Sequence, residues 1–215
     1  MQRKIIKESI LIAGISSIAA GAYAVNPGMY LGIGFGPATN SAKDQIVRAA
    51  SPPYPPGTTT KAKPKSNQFG SELYAGYKMN KWAAWELGFN YFTNINYTSK
   101  LEAEHNTSSR IRTINLLGKG YLPFWNSFDV FAKAGVAVSY LTFSGSLSST
   151  GKNKYEIKYS PMYAIGASYD LNQSFVVDVS LNQIAVGNKV FGSVTFAAIS
   201  LSYHIVEVYC GQFLC

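Results

Sequence analysis

Three features of the sequence predict an all-β chain, an eight-stranded antiparallel up-and-down transmembrane β-barrel. Hydrophobicity alternates with a period of two along most of the chain, tight turns alternate with long connections, and the first 24 residues read as an export signal. Composition removes the main competitors. Charged residues make up 14% of the 215, against roughly 25% in ordinary soluble domains. Aromatics reach another 14%, with 15 Tyr and 12 Phe. A hydrophobic content of 47% is too high for a disordered chain. Past the N-terminus no apolar run approaches the roughly 20 residues of a membrane-spanning helix.

In residues 1–24, Arg3, Lys4 and Lys7 supply a positive start, partly offset by Glu8, and residues 10–20 are apolar or small. Ala22-Tyr23-Ala24 then gives the small–x–small pattern of signal cleavage. No cysteine lies near that point, so no lipid anchor is expected. Cleavage would leave 16 of 19 basic and 10 of 11 acidic side chains, a net charge of +6. Much of the excess is local: Lys43, Arg48, Lys61, Lys63 and Lys65 face only Asp44 in one segment. A basic chain with exposed stacking aromatics would suggest nucleic acid. Here the basic residues fall between strands of an exported chain, so no nucleic-acid partner is expected.

The strands follow in order. Met29, Leu31, Ile33 and Phe35 share one face, with Tyr30, Gly32 and Gly34 opposite. Next, Phe69, Leu73, Ala75, Tyr77 and Met79 oppose Gly70, Glu72, Tyr74, Gly76 and Lys78. Ala83, Trp85, Leu87, Phe89 and Tyr91 oppose Ala84, Glu86, Gly88 and Asn90. Ile114, Leu116, Gly118, Gly120 and Leu122 oppose Asn115, Leu117 and Lys119. In the fifth, Val130, Ala132, Ala134, Val136, Val138 and Tyr140 oppose Asp129, Phe131, Lys133 and Ser139. Tyr163, Ile165, Ala167 and Tyr169 oppose Ala164, Gly166 and Ser168. Phe175, Val177, Val179 and Leu181 oppose Val176, Asp178, Ser180 and Asn182. Last, Ala197, Ile199, Leu201, Tyr203 and Ile205 oppose Phe196, Ala198, Ser200, Ser202 and His204.

The second faces are small, polar or charged and would make a poor hydrophobic core, while the apolar faces carry aromatics near their ends. That is the arrangement of a barrel with its greasy face in lipid; a soluble eight-stranded barrel or sandwich is the competing fold. Tight connections at 80–81, 123–127 and 171–174 alternate with long ones at 37–67, 93–109, 143–159 and 184–192. Outer-membrane barrels have short periplasmic turns and longer extracellular loops, so both mature termini are expected in the periplasm. Trp82, Phe124, Trp125 and Phe128 then fall at the periplasmic interface.

With its strands laid out, the chain resembles the transmembrane domain of outer-membrane protein A and its small relatives, over about residues 28–205. The resemblance rests on GSELYAGYKMN (70–80), WELGF (85–89), INLLGKGYLP (114–123), DVFAKAG (129–135) and PMYAIGASY (161–169), taken with their order and turn placement. It implies a few opposed charges inside the barrel, with Glu86 and Lys119 as an acid and a base on adjacent strands. Two positions depart from the family pattern. Ser168 stands where a carboxylate is common, and Asp178 where an arginine is expected. No peptidoglycan-binding domain is expected, and residues 206–215 read as a short periplasmic tail after a barrel domain at 25–205.

Distance from the turns puts Glu86, Lys119 and Lys133 at similar height in the lumen, with Glu72 and Asp178 pointing the same way. An eight-stranded barrel is just wide enough for its own side chains, so the expected role of this lumen charge network is a paired plug. A narrow ion path, giving a porin-like low-conductance channel, is the alternative. The 37–67 connection, with Pro52, Pro53, Pro55, Pro56 and Pro64 and the basic patch of Lys43, Arg48, Lys61, Lys63 and Lys65, is expected to be an extended, partly stiff loop. A surface adhesin acting through it is the second alternative. Catalysis needs a nucleophile, a base and an orienting acid that converge. His105 in a polar loop and His204 facing inward near the periplasmic end do not suggest that, so no catalytic residue, metal or cofactor is expected. Cys210 and Cys215 could close a small disulfide loop in an oxidising compartment or stay as thiols. The expected whole is a monomeric Gram-negative outer-membrane protein with a structural or surface role. It would be inserted by the barrel-assembly machinery and would contact lipid, lipopolysaccharide and a host surface.

Overall fold

The structure, a computed structural model, describes residues 27–41, 45–48, 59–64, 67–99, 108–144, 154–187 and 192–205. Among these residues eleven strands form: β1 Gly28–Asn40, β2 Gln45–Arg48, β3 Thr59–Pro64, β4 Asn67–Lys78, β5 Ala83–Phe92, β6 Ile95–Ser99, β7 Ser108–Trp125, β8 Phe128–Ser144, β9 Lys154–Asp170, β10 Phe175–Ile184 and β11 Val194–His204. Eight of them close a ring of antiparallel pairs in the order β1-β4-β5-β7-β8-β9-β10-β11, with β11 returning to β1. Closure leaves no edge strand in the ring, which is what lets a sheet cross lipid with its backbone groups satisfied.

The register fixes the shape. One row of neighbours runs from Ala84 through Lys119, Lys133, Ala164, Asn182 and Phe196 to Ala38 and Gln68. The β4–β5 register then carries it to the level of Asn94, ten residues beyond Ala84. With about 3.3 Å of rise per residue and about 4.8 Å between strands, this offset tilts the strands by about 40°.

All eight expected strand faces hold. Trp85, Leu87, Val136 and Val179 are 53–57% exposed on the outer wall, whereas Glu86 is 2% exposed inside it. An apolar exterior around a charged interior is the pattern of a lipid-embedded barrel and the reverse of a soluble one.

Two of the short turns use the same chemistry. Asn80 Oδ1 accepts the backbone N–H of Trp82 (2.8 Å) and Ala83 (3.0 Å). Asn172 Oδ1 accepts those of Ser174 and Phe175, both at 2.8 Å. The side-chain amide thus occupies donors that the reversing backbone cannot pair itself. The third turn, after the irregular register between Pro123 and Trp125, is the tip of the β7–β8 hairpin.

The connections depart from expectation. Pro37 lies within β1 opposite Phe69, so the first connection begins at Ser41. Its remainder is not wholly loop: β2 pairs with β3, and β3 with β6, which itself lies in the expected 93–109 connection. These short strands continue β1, β4 and β5 past the ring, and β6 reaches β7 through Ile95↔Ser109 and Asn96↔Ser108. Likewise β8 and β9 reach Ser144 and Lys154, inside the expected 143–159 loop. β7, β8 and β9 run 18, 17 and 17 residues, against 10–13 for the other ring strands. One side of the barrel therefore stands taller at its long-loop end.

Candidate functional site in the barrel lumen

The lumen has two unlike halves. Nearer the short turns lies the charged cluster. Lys119 on β7 and Lys133 on β8 are direct cross-strand partners, a placement that repels unless a carboxylate stands between. Glu86, from β5, does so: its Oε2 is 2.6 Å from Lys133 Nζ and its Oε1 3.3 Å from Lys119 Nζ. Asp178 comes from β10 across the lumen to within 2.8 Å of Lys119 Nζ through Oδ2. Tyr30 donates its hydroxyl to Glu86 Oε1 at 2.9 Å. Rings surround the ammonium groups, with Phe131 4.1 Å from Lys119 Nζ and Tyr74 5.1 Å from Lys133 Nζ. Buried charges persist when paired in this way.

Tyr30 and Tyr74 belong to this cluster and were missed by a charge-based reading. Tyr30 pairs with Gly76 and Tyr74 with Gly32 across β1–β4. Each ring lies over the opposite glycine so closely that a Cβ there would collide with it. The available signal was this reciprocal Tyr–Gly spacing on the inward parity of two adjacent strands.

Four of the five expected network residues, Glu86, Lys119, Lys133 and Asp178, are joined. Asp178 takes part although the family resemblance implied an arginine there. Glu72 is buried in the same lumen but is held by the Ser200 hydroxyl at 2.8 Å, with no ion pair among the described residues. Below the cluster, Lys78, Tyr121, Asp129, Asp170 and His204 line a small polar cavity that reaches Asp178. His204 stacks on Tyr30 with centroids 4.6 Å apart. Its Nδ1, Asp178 Oδ1 and Ser168 Oγ have no hydrogen-bond partner among the described residues.

The long-loop half is different, and the expectation of a lumen without a hydrophobic core is corrected there. Phe92, Ile95, Ile111, Leu141, Ile184, Val194 and Phe196 are fully buried and form one cluster with Leu117, Met162 and Val186. Phe92 and Phe196 meet edge to face at 5.6 Å. Leu117 and Met162 sit one inward position above Lys119 and Ala164, so apolar packing begins directly over the charges.

Of the basic patch, Arg48 lies on β2 and Lys61 and Lys63 on β3; Lys43 and Lys65 lie outside the described residues, as do His105, Cys210, Cys215 and the export segment. Among the described residues no group of His, Cys, Asp or Glu has the arrangement of a metal site, and no serine or threonine hydroxyl is hydrogen-bonded to His204.

A closed, tilted eight-strand ring with apolar walls and a charged, side-chain-filled lumen defines an outer-membrane β-barrel. Residues 25–205 match the OmpA-like transmembrane domain, and the chain belongs to that family. A protein of undescribed role from Coxiella burnetii is 28% identical over 59% of this chain and 62% of its own length. Outer membrane protein A of Serratia marcescens is 22% identical over 51% of this chain and 30% of its own. This chain thus spans less than two thirds of either relative. Among solved structures, Neisserial surface protein A aligns with a TM-score of 0.58 at 11% identity, covering 83% of this chain and 97% of that one. OprG of Pseudomonas aeruginosa aligns at 0.52 with 16% identity, covering 85% and 100%. The attachment invasion locus protein Ail of Yersinia pestis, solved with the heparin analogue sucrose octasulfate, aligns at 0.50 with 15% identity, covering 83% and 99%.

Proposed function

We propose that this barrel is a non-conducting, non-catalytic structural and surface protein, with its long-loop end outside the cell and both mature termini in the periplasm. The signal at 1–24 would direct its export, and 206–215 would form a periplasmic tail. The observation that carries this reading is the apolar plug. Phe92 and Phe196, both 0% exposed, lie in the lumen between the charged cluster and the long-loop mouth, and an ion passing these rings would give up part of its hydration to apolar surface. The orientation is supported by the alternation of short turns and long connections. Planar-bilayer recording tests the seal. The wild type should stay closed and Lys119→Ala should leave it closed, whereas Phe92→Ala with Phe196→Ala and Ile184→Ala should admit ions. A wild-type conductance that Lys119→Ala alters would establish the channel reading instead.

A second reading, attachment to a polyanionic surface, is favoured by the β2–β3–β6 sheet, which carries Arg48, Lys61 and Lys63 beyond the ring. The solved heparin-analogue complex of the similarly folded Ail gives the chemistry to test. Cells should lose salt-sensitive binding to sulfated glycans when residues 45–64 are removed; unchanged binding ends this reading.

A further inference from the structure

The outer wall of a membrane barrel is apolar, yet β7 carries two arginines on it. On its outward face, Arg110 and Arg112 stand directly above Ile114, Leu116, Gly118, Gly120 and Leu122. Ten residues separate Leu122 from Arg112, which at about 3.3 Å per residue and the tilt derived above raises Arg112 by about 25 Å, the height of the apolar band. Arg112 lies between two tyrosines, Tyr91 on β5 and Tyr140 on β8, in one cross-strand row. Both guanidiniums approach the Tyr91 ring, at 5.8 Å for Arg110 and 5.7 Å for Arg112. Arg110 is also held by Nε donating to Asn94 Oδ1 at 2.7 Å. Neither arginine forms an ion pair with a carboxylate among the described residues.

We propose that Arg110 and Arg112 are a clamp for the phosphate of an anionic lipid whose acyl chains lie against Phe89, Ile114 and Leu116. Guanidinium forks match phosphate oxygens in pairs. Stacking on Tyr91 and the bond to Asn94 restrain the two side chains before any ligand arrives, so less freedom is lost on binding. The height matters as much as the charge: two cations at the top of a greasy column fit an amphiphile whose anionic head begins where its chains end, not a ligand wholly in water. That the leaflet concerned is the outer one, where the phosphorylated lipid is lipopolysaccharide, rests on the orientation proposed above.

The test uses the folded full barrel in non-ionic detergent, with diphosphorylated lipid A as probe and retained lipid read by native mass spectrometry. Arg110→Gln with Arg112→Gln should lower retention about tenfold or more, and Lys158→Gln, at a rim ion pair with Glu156, should leave it unchanged. Arg110→Lys with Arg112→Lys, which keeps the charge but not the fork, should retain an intermediate amount and serves if the glutamine variant does not show the heat-dependent gel shift of a folded barrel. Equal retention by the variants would overturn the clamp. So would displacement of lipid A by millimolar inorganic phosphate or by sucrose octasulfate, which would make the pair a site for soluble anions. A loop tag that is inaccessible on intact cells would overturn the orientation alone, since the detergent measurement does not depend on it.

Discussion

Glu86 decides the electrostatics of the interior. Among the described residues it is the carboxylate paired with Lys133 and one of two paired with Lys119, so removing its charge takes away the anion facing Lys133. Loss of one partner from a buried pair costs about 3–5 kcal/mol, and replacing both partners by apolar groups is often neutral. Glu86→Gln is therefore expected to destabilise the barrel by about that amount in urea unfolding from vesicles, and Glu86→Met with Lys133→Met to recover much of the loss; equal damage by both would contradict the pairing. The glycines divide in the same residue-by-residue way. A Cβ at Gly135 would meet the Leu116 backbone carbonyl, and one at Gly36 that of Ala197, whereas the nearest atom at Gly118 is 3.8 Å away. Gly135→Ala and Gly36→Ala should each cost about 1–3 kcal/mol of overpacking and Gly118→Ala much less, measured by the same unfolding midpoints.

Within elements, the turns and the strand faces were legible, because each rests on a local rule. Period-two alternation gave every inward and outward side, and the short gaps between alternating runs placed the tight reversals. Replacing Asn80 or Asn172 by Ala removes an acceptor for two backbone N–H groups and is expected to cost about 1 kcal/mol, seen as a lowered urea midpoint with an unchanged slope. The strand ends were not legible for a physical reason. Phe92, Ile111, Leu141, Ile184 and Phe196 carry the inward parity of Glu86, Lys119, Lys133, Asp178 and Ser200. Extending that parity a few positions past the expected strand ends places most of them in the lumen, but at a strand end an aromatic or aliphatic residue also fits an interfacial belt. β2, β3 and β6 were hidden because their pairing is non-local and proline and lysine lower the strand signal between them. Pro37 sits where the β1–β11 ladder skips from Phe35↔Ile199 to Ala38↔Phe196, so its missing N–H interrupts the sheet without ending the strand.

At the scale of the molecule, the eight-strand ring is expected to hold without the β2–β3 hairpin. The ring closes through β1–β11 and β5–β7 pairs that use no residue between Ser41 and Ser66, and long surface insertions cost little to close or remove. Replacing residues 45–64 with a short Gly-Ser linker is expected to leave the unfolding free energy within about 0.5 kcal/mol and the heat-dependent gel shift intact; loss of folding would show that the hairpin belongs to the barrel's own cooperative unit. The overall architecture was readable from eight alternating faces and the rhythm of short and long connections. The apolar cluster inside it was not, since it is assembled from strand ends that meet only in three dimensions. The facing of Lys119 and Lys133 has one more effect, on the order of events during assembly. The β7–β8 hairpin by itself brings two like charges together. Relief comes from a neighbour on one flank, and from Asp178 only when the growing sheet has curled far enough to meet itself. An unfinished sheet therefore holds Lys119 without one of its two carboxylates, and closing the ring supplies it.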